Sequence, residues 1–354
     1  MVKKFVYGTP FETEAVVKEI PSSEGNPDYG TFSTENGFSF TTKLADDDMV
    51  FGLGEANRGI NKRGFLYISD CADDPNHVES KTSLYAAHNF IIISGKTHVG
   101  FFFDYPGTLR FDIGYTTSDT MTVSCENADL YVYMITGDSD LDIVKQFRGI
   151  IGRSYIAPKF AFGYGQSRWG YKTEDDFRTV VKKYRENHVP LDMVYMDIDY
   201  MQDYKDFTVN EERFPDFEGF VQDMKKEKIH LVPIIDAGVK VEEGYDIYEE
   251  GCEKGYFCRR EDGSYFEATV WPGWTHFPDV LNADARKWFG DKYDVLVSKG
   301  IDAFWNDMNE PSIFYSQEGL ADFKETAKKY VEGDPEVPHY MVGCLLYTSP
   351  SPRD

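Results

Sequence analysis

Basic residues are scarce in this chain: 37 Lys and Arg stand against 61 Asp and Glu, a formal net charge of −24 over 354 residues. A nucleic-acid surface needs clustered Lys and Arg to displace counterions, so that class of partner is excluded. The cysteines are Cys71, Cys125, Cys252, Cys258 and Cys344, odd in number and without a CxxC pair, which argues against a disulfide framework and a zinc ribbon. No apolar run approaches the length of a membrane span. Met1-Val2-Lys3-Lys4 is followed by Thr9, Glu12 and Glu14 before an apolar export segment could form. A cytoplasmic protein with no membrane partner is expected. None of the seven histidines forms an HxH pair, which sets aside a metal-dependent amidohydrolase site. Asp197-x-Asp199 followed by Asp203 lacks the glycine and closing glutamate of a calcium loop. Gly52-Leu53-Gly54-Glu55-Ala56-Asn57 opens like a dinucleotide loop, but Asn57 holds the third glycine position and no helix pattern follows. Neither metal nor cofactor is expected.

Apolar residues are plentiful at 41%, with 16% aromatics, enough to build real cores. The length allows two domains. Up to about residue 135 the pattern is β. Phe38-Ser39-Phe40-Thr41-Thr42, Met121-Thr122-Val123-Ser124 and Leu130-Tyr131-Val132-Tyr133 alternate, and Ser94-Gly95-Lys96-Thr97 joins two apolar runs as a hairpin. An antiparallel β-sandwich is predicted, with Gly59 to Asn89 as a long polar loop. Leu141, Val144, Phe147 and Ile151 recur at helical spacing, and the domain boundary is placed after residue 155.

Beyond it, strands alternate with helices. Strands are predicted at 160–166, 191–196, 230–236 and 304–307; helices start at Thr173 with a capping box to Asp176 and recur over 217–227, 242–254 and 284–299. Tyr256 to Phe277 reads as an irregular aromatic insert. Repeated βα units with near-continuous apolar strands indicate a parallel sheet covered by helices. Gln166, Asp197, Asp236 and Asp307 stand at the strand ends, the pattern of the active face of a (β/α)8 TIM barrel. Taken singly, such an Asp is as much a turn cap as a site residue.

Carboxylates beside aromatic rings suit a neutral sugar: the ring covers the C–H face while the carboxylate reaches the anomeric carbon. Trp169, Trp271, Trp274 and Trp305 supply such walls, whereas Trp288 sits on a helix face and reads as core. The partner implied is a small oligosaccharide.

Trp305-Asn306-Asp307-Met308-Asn309-Glu310-Pro311 resembles the signature of glycoside hydrolase family 31, the α-glucosidase family. Gly52-Leu53-Gly54-Glu55, Ser83-Leu84-Tyr85, Gln166-Ser167-Arg168-Trp169, Tyr195 to Met201 and Trp271-Pro272-Gly273 match in order. The likeness runs through about residue 340 and is greatest to bacterial α-glucosidases of the gut Firmicutes type. It implies a retaining α-glucosidase with Asp307 as nucleophile. It further implies that Asp197 binds hydroxyls of the non-reducing glucose, and that Ile198, Ile234, Trp271, Trp305 and Met308 line its pocket. Asp236 joins them as a strand-end substrate contact. Asp73 would reach the next sugar from the sandwich loop, and Trp169 resembles the residue of relatives favouring α-1,6 linkages such as isomaltose.

The family's general acid/base lies well downstream of the nucleophile, and nothing after Pro311 resembles its segment. The expectation is therefore a fragment: a sandwich over 1–155, the first half of a TIM barrel over 156–343, and a non-native tail over 344–354. Such a fragment is expected to be inactive. The alternatives are a non-catalytic carbohydrate-binding protein, or an α-xylosidase or transglucosidase of the same family.

Overall fold

Alternation of apolar and polar residues builds the N-terminal unit. Its strands, among the described residues, begin with β1 (Val2–Tyr7), β2 (Thr31–Ser33), β3 (Phe38–Lys43), β4 (Met49–Gly52) and β5 (Phe65–Ser69). They continue with β6 (Phe90–Ser94), β7 (His98–Asp104), β8 (Leu109–Ile113), β9 (Thr120–Cys125) and β10 (Leu130–Gly137). Two five-stranded antiparallel sheets result, β1-β10-β7-β6-β4 and β2-β3-β9-β8-β5. The structure, a computed structural model, describes residues 1–70, 77–84, 86, 88–309 and 311–317. The chain divides into two units that meet in sequence at Tyr155 and Ile156.

Because side chains alternate across a strand, Phe38 and Phe40 share one face, as do Phe101 and Phe103. Those faces meet in the sandwich core, with Phe40 and Phe101 centroids 4.7 Å apart. The hairpin at residues 94–97 forms as expected, Ser94 pairing with His98. The polar stretch 59–89 is not wholly loop: Phe65-Leu66-Tyr67-Ile68-Ser69 forms β5 and pairs with β8 along its length. Its apolar run is short, and the polar residues around it hide the strand.

Helix α1 (Asp140–Ile151) starts at Ser139, whose hydroxyl accepts from the Asp142 amide at 3.2 Å. The buried stripe is Ile143 and Ile150 with Phe147, while Leu141 and Val144 face solvent. Phe147 stacks on Phe90 at 3.9 Å. Gly100 of β7 permits that approach, since a Cβ there would come within 2.5 Å of Ile143.

The second unit carries the parallel sheet. The predicted strand 160–166 is mostly something else: a 3-10 turn at Lys159–Phe162 precedes the two-residue strand β11 (Gly165–Gln166). Phe160 leaves the strand pattern to stack on His230, centroids 3.5 Å apart and nearly coplanar. Helix α2 (Glu174–Glu186) opens with the expected capping box between Thr173 and Asp176. Then come β12 (Met193–Met196), α3 (Phe217–Lys226), β13 (His230–Asp236), β14 (Val239–Lys240) and α4 (Asp246–Lys254). The last helix starts later than residue 242 because Gly244 takes a left-handed φ of +80° and Glu242 is held by Lys205 and Lys240, each at 2.6 Å.

The aromatic insert is more ordered than its sequence suggests. It holds the hairpin of β15 (Glu267–Val270) and β16 (Gly273–His276), with Trp271-Pro272 at its tip. The predicted helix over 284–299 is interrupted at Tyr293 into α5 (Ala283–Lys292) and α6 (Asp294–Val297). The chain reaches β17 (Trp305–Asp307) and then β18 (Tyr315–Ser316). The parallel sheet has the order β11-β12-β13-β17, and β14-β16-β15-β18 forms a small antiparallel sheet. An N-terminal antiparallel β-sheet domain is thus followed by a partial TIM barrel. At the N-terminal ends of its strands, His230 Nδ1 lies 3.0 Å from both carboxylate oxygens of Asp302.

Candidate active site

Register gathers the strand-end residues. In the parallel ladder Ile234 lies opposite Trp305, and Asp236 opposite Asp307. Met196 lies opposite Pro233, so Asp197 follows at the level of Ile234 on the neighbouring strand. With a side-chain period of two, Ile234 and Asp236 share a face, as do Trp305 and Asp307. Asp197, Asp236 and Asp307 therefore arrive from three adjacent strands at one end of the sheet. The strand carrying Asp307 is less buried than its sequence predicts. Trp305 and Asp307 are half-buried and Asn306 exposed, because β17 ends the sheet among the described residues.

The electrostatics follow from that crowding. Asp236 is 2% exposed, and neither of its carboxyl oxygens has a hydrogen-bond partner. Burial first, then the charges of Asp307 and Asp197, push its pKa up to about 8. Asp197 is raised by burial and by Asp199 and Asp307, against a lowering bond from the Ile198 amide, which donates to its carboxylate at 2.7 Å. That bond makes Asp197 the cap of the 3-10 turn Ile198–Tyr200. Asp199, by contrast, is ion-paired to Arg213 at 3.3 Å and Lys172 at 3.6 Å. Backbone strain marks the same place: Met308, directly after Asp307, sits at φ +58°, a conformation that a residue with a Cβ seldom adopts.

The expected pocket residues divide. Ile198 and Ile234 are nearly fully buried in the barrel core, and Trp305 packs edge-on to Tyr195 at 6.0 Å. Trp271 lies 6.0 Å from Trp169 and 5.2 Å from Phe314, and clusters with the buried Met308. Trp169 is 60% exposed, a free aromatic face beside Trp271. Gln166 does not join the carboxylates in bonding; its side-chain oxygen accepts from Tyr164 at 3.0 Å and Tyr184 at 2.5 Å. Asp73 and Glu310 lie outside the described residues. Among the described residues, no group of three or more His, Cys, Asp and Glu is arranged to hold a metal ion, and no helix is long and apolar enough to cross a membrane.

One residue escapes the sequence reading. Asp206 is fully buried behind the strand ends, and its Oδ1 accepts from the Asp236 amide at 3.0 Å. Nothing in Lys205-Asp206-Phe207 distinguishes it from a surface loop.

Carboxylates gathered at the C-terminal ends of parallel strands define a barrel-type active face. The chain belongs to glycoside hydrolase family 31: residues 154–345 match the family's TIM-barrel domain, and residues 11–112 its N-terminal galactose mutarotase-like domain. Alpha-glucosidase 2 of Bacillus thermoamyloliquefaciens is 37% identical over 277 residues, covering 77% of this chain and 35% of that protein. An alpha-glucosidase of Saccharolobus solfataricus is 28% identical over 88% of this chain and 46% of that one. The crystal structure of a family 31 alpha-glucosidase from Bacteroides thetaiotaomicron superposes with a TM-score of 0.72 at 26% identity, over 82% of this chain and 49% of that chain. The chain thus spans about a third to a half of the length of these relatives.

Proposed function

We propose that the protein carrying this chain is a retaining α-glucosidase that releases glucose from the non-reducing ends of short α-glucosides. The observation that carries the reading is the register of Asp307 against Asp236, with Asp197 on the next strand. In this reading the Asp307 carboxylate attacks C1 and the glycosidic oxygen departs with a proton from the general acid. Water then cleaves the β-glucosyl ester with net retention. Asp236, pushed towards its neutral form by burial and by the charges of Asp307 and Asp197, leaves negative charge to its neighbours at the strand-end sugar site. Asp197 accepts from sugar hydroxyls, while Ile198, Ile234, Trp271, Trp305 and Met308 enclose the ring.

The general acid/base is assigned to a later segment, consistent with the 35% of the Bacillus relative that this chain covers. The chain as given is then a fragment of a Firmicutes-type enzyme and inactive alone, divided as 1–155, 156–343 and a non-native 344–354. A cytoplasmic setting suits the free thiols of Cys125, Cys252 and Cys258. The exposed Trp169 face beside Trp271 supports a preference for α-1,6 linkages.

The test is trapping of the full-length protein with a fluorinated glucosyl inhibitor. A glucosyl adduct on Asp307 alone is expected; an adduct on another residue, or none, overturns the assignment.

A further inference from the structure

The segment behind the strand ends is tied to β13 at two points and to the start of α4 at a third. Asp206 Oδ1 accepts from the Asp236 amide at 3.0 Å, Tyr200 donates to the Ile234 carbonyl at 2.8 Å, and Tyr245 donates to the Asp206 carbonyl at 2.9 Å. The loop holds these bonds under strain: Asp203, Tyr204 and Phe207 take left-handed φ of 52°, 58° and 61°. Phe207 is anchored between Phe289 at 5.0 Å and Tyr293 at 5.2 Å.

The Asp206 carboxyl is 1% exposed, and its Oδ2 has no hydrogen-bond partner. The titratable groups acting on it or acted on by it are Asp236, Tyr200, Tyr245 and Tyr293, all acidic. The adjacent Lys205 is committed to Glu242 at 2.6 Å, and Arg213 to Asp199. An anionic carboxylate sealed from water with one amide donor and no cation would bear a heavy desolvation cost. Burial, then the charge of Asp236, accordingly raises its pKa well above the usual range.

We infer that Asp206 is a positioning residue for the sugar site, a neutral carboxyl that fixes the end of β13 and so sets the Asp236 side chain beside Asp307. The assignment rests on the α-glucosidase reading for its effect on turnover, but not for its structural part.

The experiment compares Asp206→Ala and Asp206→Asn in the full-length protein. Infrared difference spectra of the wild type minus Asp206→Asn at pH 7 are expected to contain a protonated-carboxyl C=O band. Loss of an ionised carboxylate band instead overturns the neutral state. Hydrogen exchange at the Asp236 amide is expected to quicken at least about tenfold in Asp206→Ala and to return towards wild type in Asp206→Asn, whose side-chain oxygen still accepts. Unchanged exchange in Asp206→Ala overturns the positioning role. Labelling of Asp307 by the fluorinated inhibitor is expected to slow about 10²-fold in Asp206→Ala with inhibitor affinity within about threefold, since misplacement costs the reaction more than binding. Equal labelling rates overturn the link to catalysis. If Asp206→Ala does not fold, Asp206→Ser serves in its place. A wild type that is not labelled defeats the α-glucosidase reading, and the infrared and exchange arms still decide the role of Asp206.

Discussion

The sandwich and the barrel unit both cover a sheet with apolar side chains, but they treat buried acids differently. In the sandwich core the buried faces are phenylalanine and aliphatic; Asp112 is buried but satisfied by hydrogen bonds from Thr116 and Tyr115 that outweigh its burial, and Asp119 is held by Lys43 at the surface. Asp104 is the counterexample, nearly inaccessible and bonded on one oxygen by the Thr13 hydroxyl at 2.6 Å. In the barrel unit Asp206 and Asp236 are buried side by side with three unbonded carboxyl oxygens between them. Stability alone gives no reason to keep such a pair, since a buried acid without a full set of partners destabilises a fold. Among the described residues, the contrast separates a unit with one carboxyl oxygen of this kind, on Asp104, from one that gathers them at and behind its strand ends.

The largest effect should come from breaking the sandwich itself. Phe101→Ala removes a fully buried ring from between Phe40 and Phe103. It should cost about 3–5 kcal/mol of stability in urea unfolding while leaving kcat of the remaining folded enzyme unchanged. A fall in kcat at full folding would erase the contrast.

Asp104 and Asp236, one from each unit, sharpen it through pH, with Asp206 adding a decline of the same sign in the barrel unit. Both have folded pKa values raised above the ordinary 3.8, Asp104 to about 6 and Asp236 to about 8. A raised acid stabilises the fold below its ordinary pKa, and that contribution is lost as pH climbs to the folded value. Asp104→Asn should therefore flatten the decline in stability between pH 3.8 and about 6, and Asp236→Asn the decline that continues to about 8. Urea midpoints measured across that range check both. A midpoint–pH slope above pH 6 that Asp236→Asn leaves intact would place the buried charge elsewhere.

The smallest effect concerns sugar choice. Trp169→Tyr in the full-length enzyme should shift the ratio of kcat/KM for isomaltose over maltose towards maltose by several-fold, in the range of one altered ring contact. An unchanged ratio removes Trp169 from linkage selection.

Much of the fold was legible because periodicity is a backbone property. Phe38-Ser39-Phe40 and the Thr173–Asp176 capping box form as their patterns predict. Phe160, Phe162 and Tyr164 alternate like a strand, yet Phe160 is spent on His230, a partner 70 residues away by number. The three strand-end aspartates could be read because each ends an apolar run. Asp206 could not, since the tyrosines near it, Tyr200, Tyr245 and Tyr293, are brought to it only by the folded chain.

Met308 carries a consequence for anyone seeking a hardier enzyme. A glycine there would relax the left-handed backbone at φ +58°, at an entropic cost of its own. It would also slacken the leash on the carboxylate one residue earlier and discard a side chain that packs with Ile313 and Phe314. Packing outweighs strain there: losing the buried methionine costs about 2–5 kcal/mol against about 1–2 kcal/mol for one left-handed residue, so a thermostability screen would retain the strained side chain.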